Sequence, residues 1–323
     1  MPPKVAKFPT SLKLGGDVTY AGRTLELSPD GGALVYGNQD GHFSIARGEK
    51  ALTKLKTNEY VTATACALDR ERVLVGFPDP ENGAHVDVLS RDGEVVATFR
   101  LPRDAALHGC IASVDADAVV AWGWDSVDAA RPHLWWWSLA SPKAKPTALE
   151  IAPTGMVHGA AFVGSTLFLN PHDQLFAATP AGVTKVEVGK GLMPNRVAGA
   201  RSGKHLLVGS AKQLRVLSTK GTLVHSFPPF LGAARLTPDG SQVVGYGMAL
   251  RHQTVPHELI DAHPEWLTTS FIARFDAKTG ERLGWGPITD AVDMIALAEG
   301  ELIVTKSVKR IAFHPWKLVT ENG

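Results

Sequence analysis

The densest group of potential metal ligands and acid–base residues lies in one segment, His-Glu-Leu-Ile-Asp-Ala-His-Pro-Glu-Trp, at 257–266. A helical zinc-protease motif needs its two histidines four positions apart, so that both imidazoles share one face with the glutamate base. Here His257 and His263 are six apart and Asp261 takes the fourth position. His257, Asp261 and His263 are the metal candidates this spacing allows, set against a solvated polar loop or short helix. The polar segment is the simpler account, and no metal is expected. A second segment, Gly199-Ala-Arg-Ser-Gly-Lys-His205, imitates the end of a phosphate loop. Its first spacing is one residue short, and His205 stands where a hydroxyl side chain would hold magnesium. It reads as a turn. No G-x-S-x-G nucleophile elbow occurs.

Tryptophan is the other chemically loaded residue. The chain has eight, and five of them fall between Trp122 and Trp137. In Leu134-Trp135-Trp136-Trp137-Ser138-Leu139, strand alternation sends Trp136 to one sheet face and Trp135 and Trp137 to the other, as interior packing requires. Trp124 and Trp266 differ, because each sits among charges in what reads as an extended loop (WGWDSVDAAR and HPEWLTT). Aromatic side chains beside Arg or Asp are characteristic interface anchors. The candidate interaction surface is therefore Trp124, Asp125, Arg131, Arg251, His257, Glu258 and Trp266.

The elements that must position these residues show themselves by repetition. Stretches 86–99 (VDVLSRDGEVVATF) and 214–227 (LRVLSTKGTLVHSF) align without a gap and share six identities. Each reads as a strand, a turn closed by Gly93 or Gly221, and a second strand. A weaker copy occupies 175–188 with Gly182 at the turn. Four-stranded units recur along the chain, with first strands beginning near Thr24, Thr64, Ile111, Gly159, Ala198, Ala233 and Met294. Leu27-Ser28-Pro29-Asp30-Gly31 in the first unit is repeated as Leu236-Thr237-Pro238-Asp239-Gly240 in the sixth.

Seven units of about 46 residues predict a single all-β domain, a seven-bladed β-propeller with four-stranded antiparallel blades. The blades are placed near 24–56, 61–102, 108–151, 156–189, 194–229, 231–287 and 292–320, the last completed by residues 5–14 from the amino terminus. The template is interrupted twice, by a long hairpin loop at 123–132 and by an insertion at 249–269, and function is sought there.

Thirty-three basic against 32 acidic residues leave no global field for phosphate backbones or anionic lipids, so neither nucleic acid nor membrane is an expected partner. Cys66 and Cys110 lie in apolar runs and imply no disulfide framework. The amino-terminal segment lacks the unbroken apolar stretch of a signal peptide, and no span of membrane length occurs, so a cytoplasmic protein is expected.

At these strands and turns the chain resembles the WD-repeat-like β-propellers, including bacterial forms with an SPDG turn after the first strand of a blade. The Trp-Asp pair that ends a third strand in that family is missing from every unit, as is the Gly-His pair before the first, so the resemblance is one of architecture and marks a divergent member. The segment 274–285 (RFDAKTGERLGW) is similar to the tryptophan-docking strand of pyrroloquinoline-quinone propellers at Asp276, Thr279, Gly280 and Trp285. It occurs once, whereas cofactor-binding members repeat it through most blades. No cofactor is expected, and Thr-Gly reads as a hairpin turn.

The expected function is a non-enzymatic interaction module or scaffold subunit that binds another protein, alone or within a larger complex. The alternative is a small-molecule hydrolase or lactonase with a metal in the central channel. That would require polar residues near inner-strand ends, such as Asp69, Asp115, His158, Asn170, Asn195 and Asp239, to converge on the axis.

Overall fold

Period-two alternation and turns every few residues leave short strands as the only regular structure these segments can form, and the computed structural model consists almost wholly of them. It describes residues 11–13, 24–27, 34–37, 42–47, 50–56, 65–69, 71–77, 83–90, 92–125, 128–151, 157–189, 196–200, 203–209, 213–227, 231–247, 261–262, 264–267, 269–289, 292, 294–298, 302–306 and 310–320. The described strands form seven antiparallel sheets of four strands. In six of them the strands follow chain order, as an uninterrupted meander must; in the seventh, Ser11–Lys13 pairs with Arg310–Ala312 as the fourth strand. Residues 317–320 do not supply that strand, since most of them lie in a 3-10 helix, Trp316–Val319.

The first strands of the blades are Thr24–Leu27, Ala65–Ala67, Ala105–Ser113, Val157–Val163, Arg196–Gly199, Leu231–Leu236 and Met294–Ala298. Each touches the next in turn, and Met294–Ala298 also touches Thr24–Leu27, so these strands encircle the axis. The crowding there explains their alanines and glycines: a Cβ on Gly199 would run into the carbonyl of Phe162 on the neighbouring first strand. The third blade starts earlier than its sequence suggests, at Ala105 rather than near Ile111.

The apolar core is divided into layers between blades. Phe99 and Leu74 of the second blade meet Trp135 and Trp137 of the third. On the opposite face, Trp136 and Val120 meet Leu167 and Leu169 of the fourth. Similar layers join the fourth to the fifth, the fifth to the sixth, the sixth to the seventh and the seventh to the first. Edge-on aromatic pairs bridge three of these seams: Phe99 with Trp137 at 5.8 Å, Trp136 with Phe162 at 5.7 Å, and Phe227 with Phe275 at 5.6 Å. Each such pair adds about 0.5–1.5 kcal/mol beyond its area burial.

The duplicated hairpins are the third and fourth strands of the second and fifth blades. Their turns use the same bonds. Gly93 N–H donates to the Ser90 carbonyl and Gly221 N–H to that of Ser218, while each serine hydroxyl accepts from two further backbone N–H groups. Gly93 and Gly221 have φ of 85° and 82°, a left-handed conformation that any side chain would strain. Both hairpins also carry a bulge at the same place, Val88/Leu89 and Val216/Leu217. The fourth blade departs from this template: Leu175 pairs with Val186 and Thr179 with Gly182, so its hairpin is two residues shorter and Gly182 begins the strand instead of closing the turn.

Two histidines of the fifth blade brace the turns of the sixth. The Nδ1 of His205 lies 2.8 Å from the Gly240 carbonyl, and a Cβ on Gly280 would strike the ring of His225. Burial holds the His225 imidazole below its ordinary pKa, against the pull of Asp276, which raises it. The fold favours the neutral ring, so as pH falls the unfolded chain takes up its proton first. The associated stability is intact above the ordinary histidine pKa, about 6.5, and declines as pH drops from there through the lowered folded value. His225→Gln is therefore expected to flatten the decline in melting temperature between about pH 7 and 5. Parallel curves for the two proteins would refute this.

Candidate interaction surface on the third and sixth blades

The segment 123–132 is not the loop its sequence suggests. The second strand of the third blade runs to Asp125 and the third runs from Asp128 to Ser138, so residues 123–125 and 128–132 belong to one long hairpin. With strands of 9, 8 and 11 residues, the first three strands of this blade outrun those of its neighbours, most of which have 3–7. At about 3.3 Å per residue, its second strand is roughly 7–10 Å longer than Thr166–Pro171 and Val73–Phe77. The reason is the composition: Val119-Val120-Ala121-Trp122 and Leu134-Trp135-Trp136-Trp137 are β-branched and aromatic runs that pair without interruption.

Trp124 sits near the end of this hairpin, between Ala106 and Pro132 on its flanking strands. It is half-buried, and its indole meets the His108 ring edge-on at 3.7 Å. His108 reaches it because it is the extra residue of a bulge: Leu107 pairs with Gly123 and Gly109 with Trp122. Both glycines are required. A Cβ on Gly123 would collide with the Ala106 carbonyl, and one on Gly109 would lie on the Trp122 ring. Exposed Arg103 and Asp104, in the turn before the first strand, lie at the same end of the sheet. The result is a half-exposed aromatic pair beside a polar margin, an arrangement characteristic of interface centres. His108, Arg103 and Asp104 were not legible as site residues, because only the bulged register brings His108 to Trp124.

Asp125 pairs with Asp128 at the tip, and Arg131 lies within the third strand of the hairpin. The sixth-blade insertion likewise joins a second strand, Gln242–Gly247, to a third, Ser270–Asp276, so it emerges on the same face of the ring as the Trp124 hairpin. Trp266 lies in a 3-10 helix, Pro264–Leu267, and Asp261 is exposed. Arg251, His257, Glu258 and His263 fall outside the described residues, so of the metal candidates His257, Asp261 and His263 only Asp261 is placed. Among the described residues no three of His, Cys, Asp and Glu come together as a metal would need.

Two of the polar residues near the inner-strand ends, Asp69 and Asp239, are engaged in turns. Asp69 accepts the N–H groups of Glu71 and Arg72 and pairs with the Arg72 guanidinium at 2.7 Å. In the Thr237-Pro238-Asp239-Gly240 turn, burial pulls the Asp239 carboxyl up, but bonds from Ser241 and Thr237 outweigh it and hold the carboxyl below its ordinary range. Asn170 is buried beside Gly159. Among the described residues Asp69, Asp115, His158 and Asp239 form no group of three that could hold a metal, and Asn195 falls outside the described residues. The segment 274–285 also resolves into a turn: Asp276 accepts the N–H groups of Lys278 and Thr279, and Trp285 packs into the seam between the fifth and sixth blades.

The chain is similar to the solved β-propeller domain of Cps50 (Swd1) from Myceliophteria thermophila, with a TM-score of 0.62 and 12% identity over 94% of this chain and 97% of that one. No family model matches the chain, and no curated protein does. The fold is that of a β-propeller, with the four-stranded blades implied by the resemblance to WD-repeat-like proteins. Among the described residues no helix is long and apolar enough to cross a membrane.

Proposed function

We propose that this propeller is an interaction module that binds another protein across the face bearing the third-blade hairpin and the sixth-blade insertion. The observation that carries this reading is the half-exposed contact of Trp124 with His108 near the end of a long three-stranded ribbon. A stiff support matters energetically, because association then orders few additional side chains. Likeness to another propeller domain supports the same general use of the fold. The channel-enzyme alternative gains no support from Asp69 and Asp239, which cap turns.

The test is quantitative copurification from the native cell, with Trp124→Ala and Trp266→Ala combined. The expected result is loss of the bound protein with a melting temperature within about 2 °C of the parent. Retention of the same proteins by the double variant, or the absence of any specific partner of the parent chain, would overturn the proposal.

A further inference from the structure

The seam between the second and third blades holds both cysteines of the chain, Cys66 and Cys110, which are 3% and 5% exposed and not in a disulfide. They lie on first strands that touch, Ala65–Ala67 and Ala105–Ser113. Register fixes the face each presents. Cys66 pairs with Leu74, and Leu74 packs in the core layer shared with the third blade. Cys110 pairs with Ala121, which pairs with Trp135, and both belong to that same layer on its other wall. Residues directly opposite in an antiparallel pair share a sheet face, so the two thiols enter one seam from facing blades.

The environment of Cys66 agrees with that placement. Burial pushes its thiol well above the ordinary pKa, Glu26 and Cys110 raise it further, and a hydrogen bond from the backbone of Ala112, two residues beyond Cys110, lowers it. The Cys66 sulfur therefore reaches the strand that carries Cys110. A protonated, desolvated thiol is a poor nucleophile, so the closed seam reacts slowly. Rate and equilibrium are separate matters. Brief opening of the seam supplies a path, and the fold has already met the entropic cost of bringing the two residues together.

We propose that Cys66 and Cys110 form a disulfide across this seam under oxidising conditions, a redox-dependent clip between the innermost strands of the second and third blades. The oxidant is a low-molecular-weight disulfide such as oxidised glutathione. The thiolate of one cysteine attacks it, giving a mixed disulfide and releasing one small thiol. The other cysteine then attacks the protein-bound sulfur of the mixed disulfide, forming the Cys66–Cys110 bond and releasing the second small thiol. Two protein thiols are oxidised, one small disulfide is reduced, and the two cysteine protons end on the released thiols. The bond closes a loop of roughly 45 residues and restricts the unfolded chain, so the clipped protein is the more stable form. The clip does not depend on the proposed protein-binding surface.

The experiment equilibrates the full chain in glutathione redox buffers, both folded and in concentrated urea, starting from the reduced chain and from chain oxidised while unfolded. Peptide mapping without reduction identifies the linked cysteines. The folded chain is expected to favour the Cys66–Cys110 bond at least about tenfold more than the unfolded chain, and the oxidised protein to melt about 5 °C or more above the reduced one. Equal or weaker preference in the folded chain overturns the proposal, as does oxidised chain that fails to refold, or glutathione carried separately on both cysteines at equilibrium. Cys66→Ala and Cys110→Ala should each melt at the same temperature with and without oxidised glutathione. A rise in either variant similar to that of the parent would mean that the stabilisation has another source, and the clip would fail.

Discussion

A chain lacking residues 1–14 is expected to melt about 5–10 °C below the intact protein, in a single transition. Ser11–Lys13 supplies the fourth strand of the seventh blade, pairing with Ala312, Ile311 and Arg310. Its removal exposes the edge of Arg310–Pro315 and frees the far end of the ring from the amino terminus. Each lost backbone hydrogen bond is worth about 0.5–1.5 kcal/mol net, and releasing a closure that spans nearly the whole chain adds an entropic term. The loss should propagate, because each core layer among the described residues is shared by two blades. Leu12→Pro is a sharper version. It keeps the chain length while placing a residue without an N–H in the ladder opposite Ile311. An unchanged melting temperature in both variants would refute closure through this strand.

Trp137→Ala is expected to cost about 3–5 kcal/mol, whereas Trp124→Ala should cost about 1 kcal/mol or less. Trp137 is only 2% exposed, lies edge-on to Phe99, and fills the seam between the second and third blades with Trp135. Replacing it leaves a cavity flanked by two sheets whose backbones are held by their own ladders, so the site cannot collapse. Trp124 stands on the long hairpin, touches His108 and is half in solvent already. Denaturant unfolding of both variants separates the two roles. Similar losses would mean that Trp124 is a core residue and would remove the main support for an interface there.

Of the metal candidates His257, Asp261 and His263, only Asp261 is among the described residues, and it is exposed. Trp124 is placed differently from its sequence reading. The adjoining charges suggested a loop, but the residue belongs to a strand whose partners continue to Ala105 and Asp128. His108 escaped notice because its sequence neighbours, Leu107 and Gly109, read as ordinary strand. The weak fourth-blade copy aligned with the hairpin template although its true pairing is two residues tighter, because apolar alternation is insensitive to turn length.

What the sequence determined by itself is the local grammar: alternation that makes strands, glycines and serines that make turns, and a recurring unit that dictates stacked blades. Tryptophans 135–137 were also legible, because a period of two assigns each to a face whatever the surrounding fold. Tertiary structure decided what depends on contacts between distant residues. The bulge that carries His108 to Trp124, the pairing of Ser11–Lys13 with Arg310–Ala312, and the meeting of Cys66 and Cys110 in one seam each join segments whose separation along the chain carries no periodic signal. Local patterns reflect interactions within a few residues. Side chains from different strands come together only once the ring has formed, and the candidate sites of this protein lie where they do.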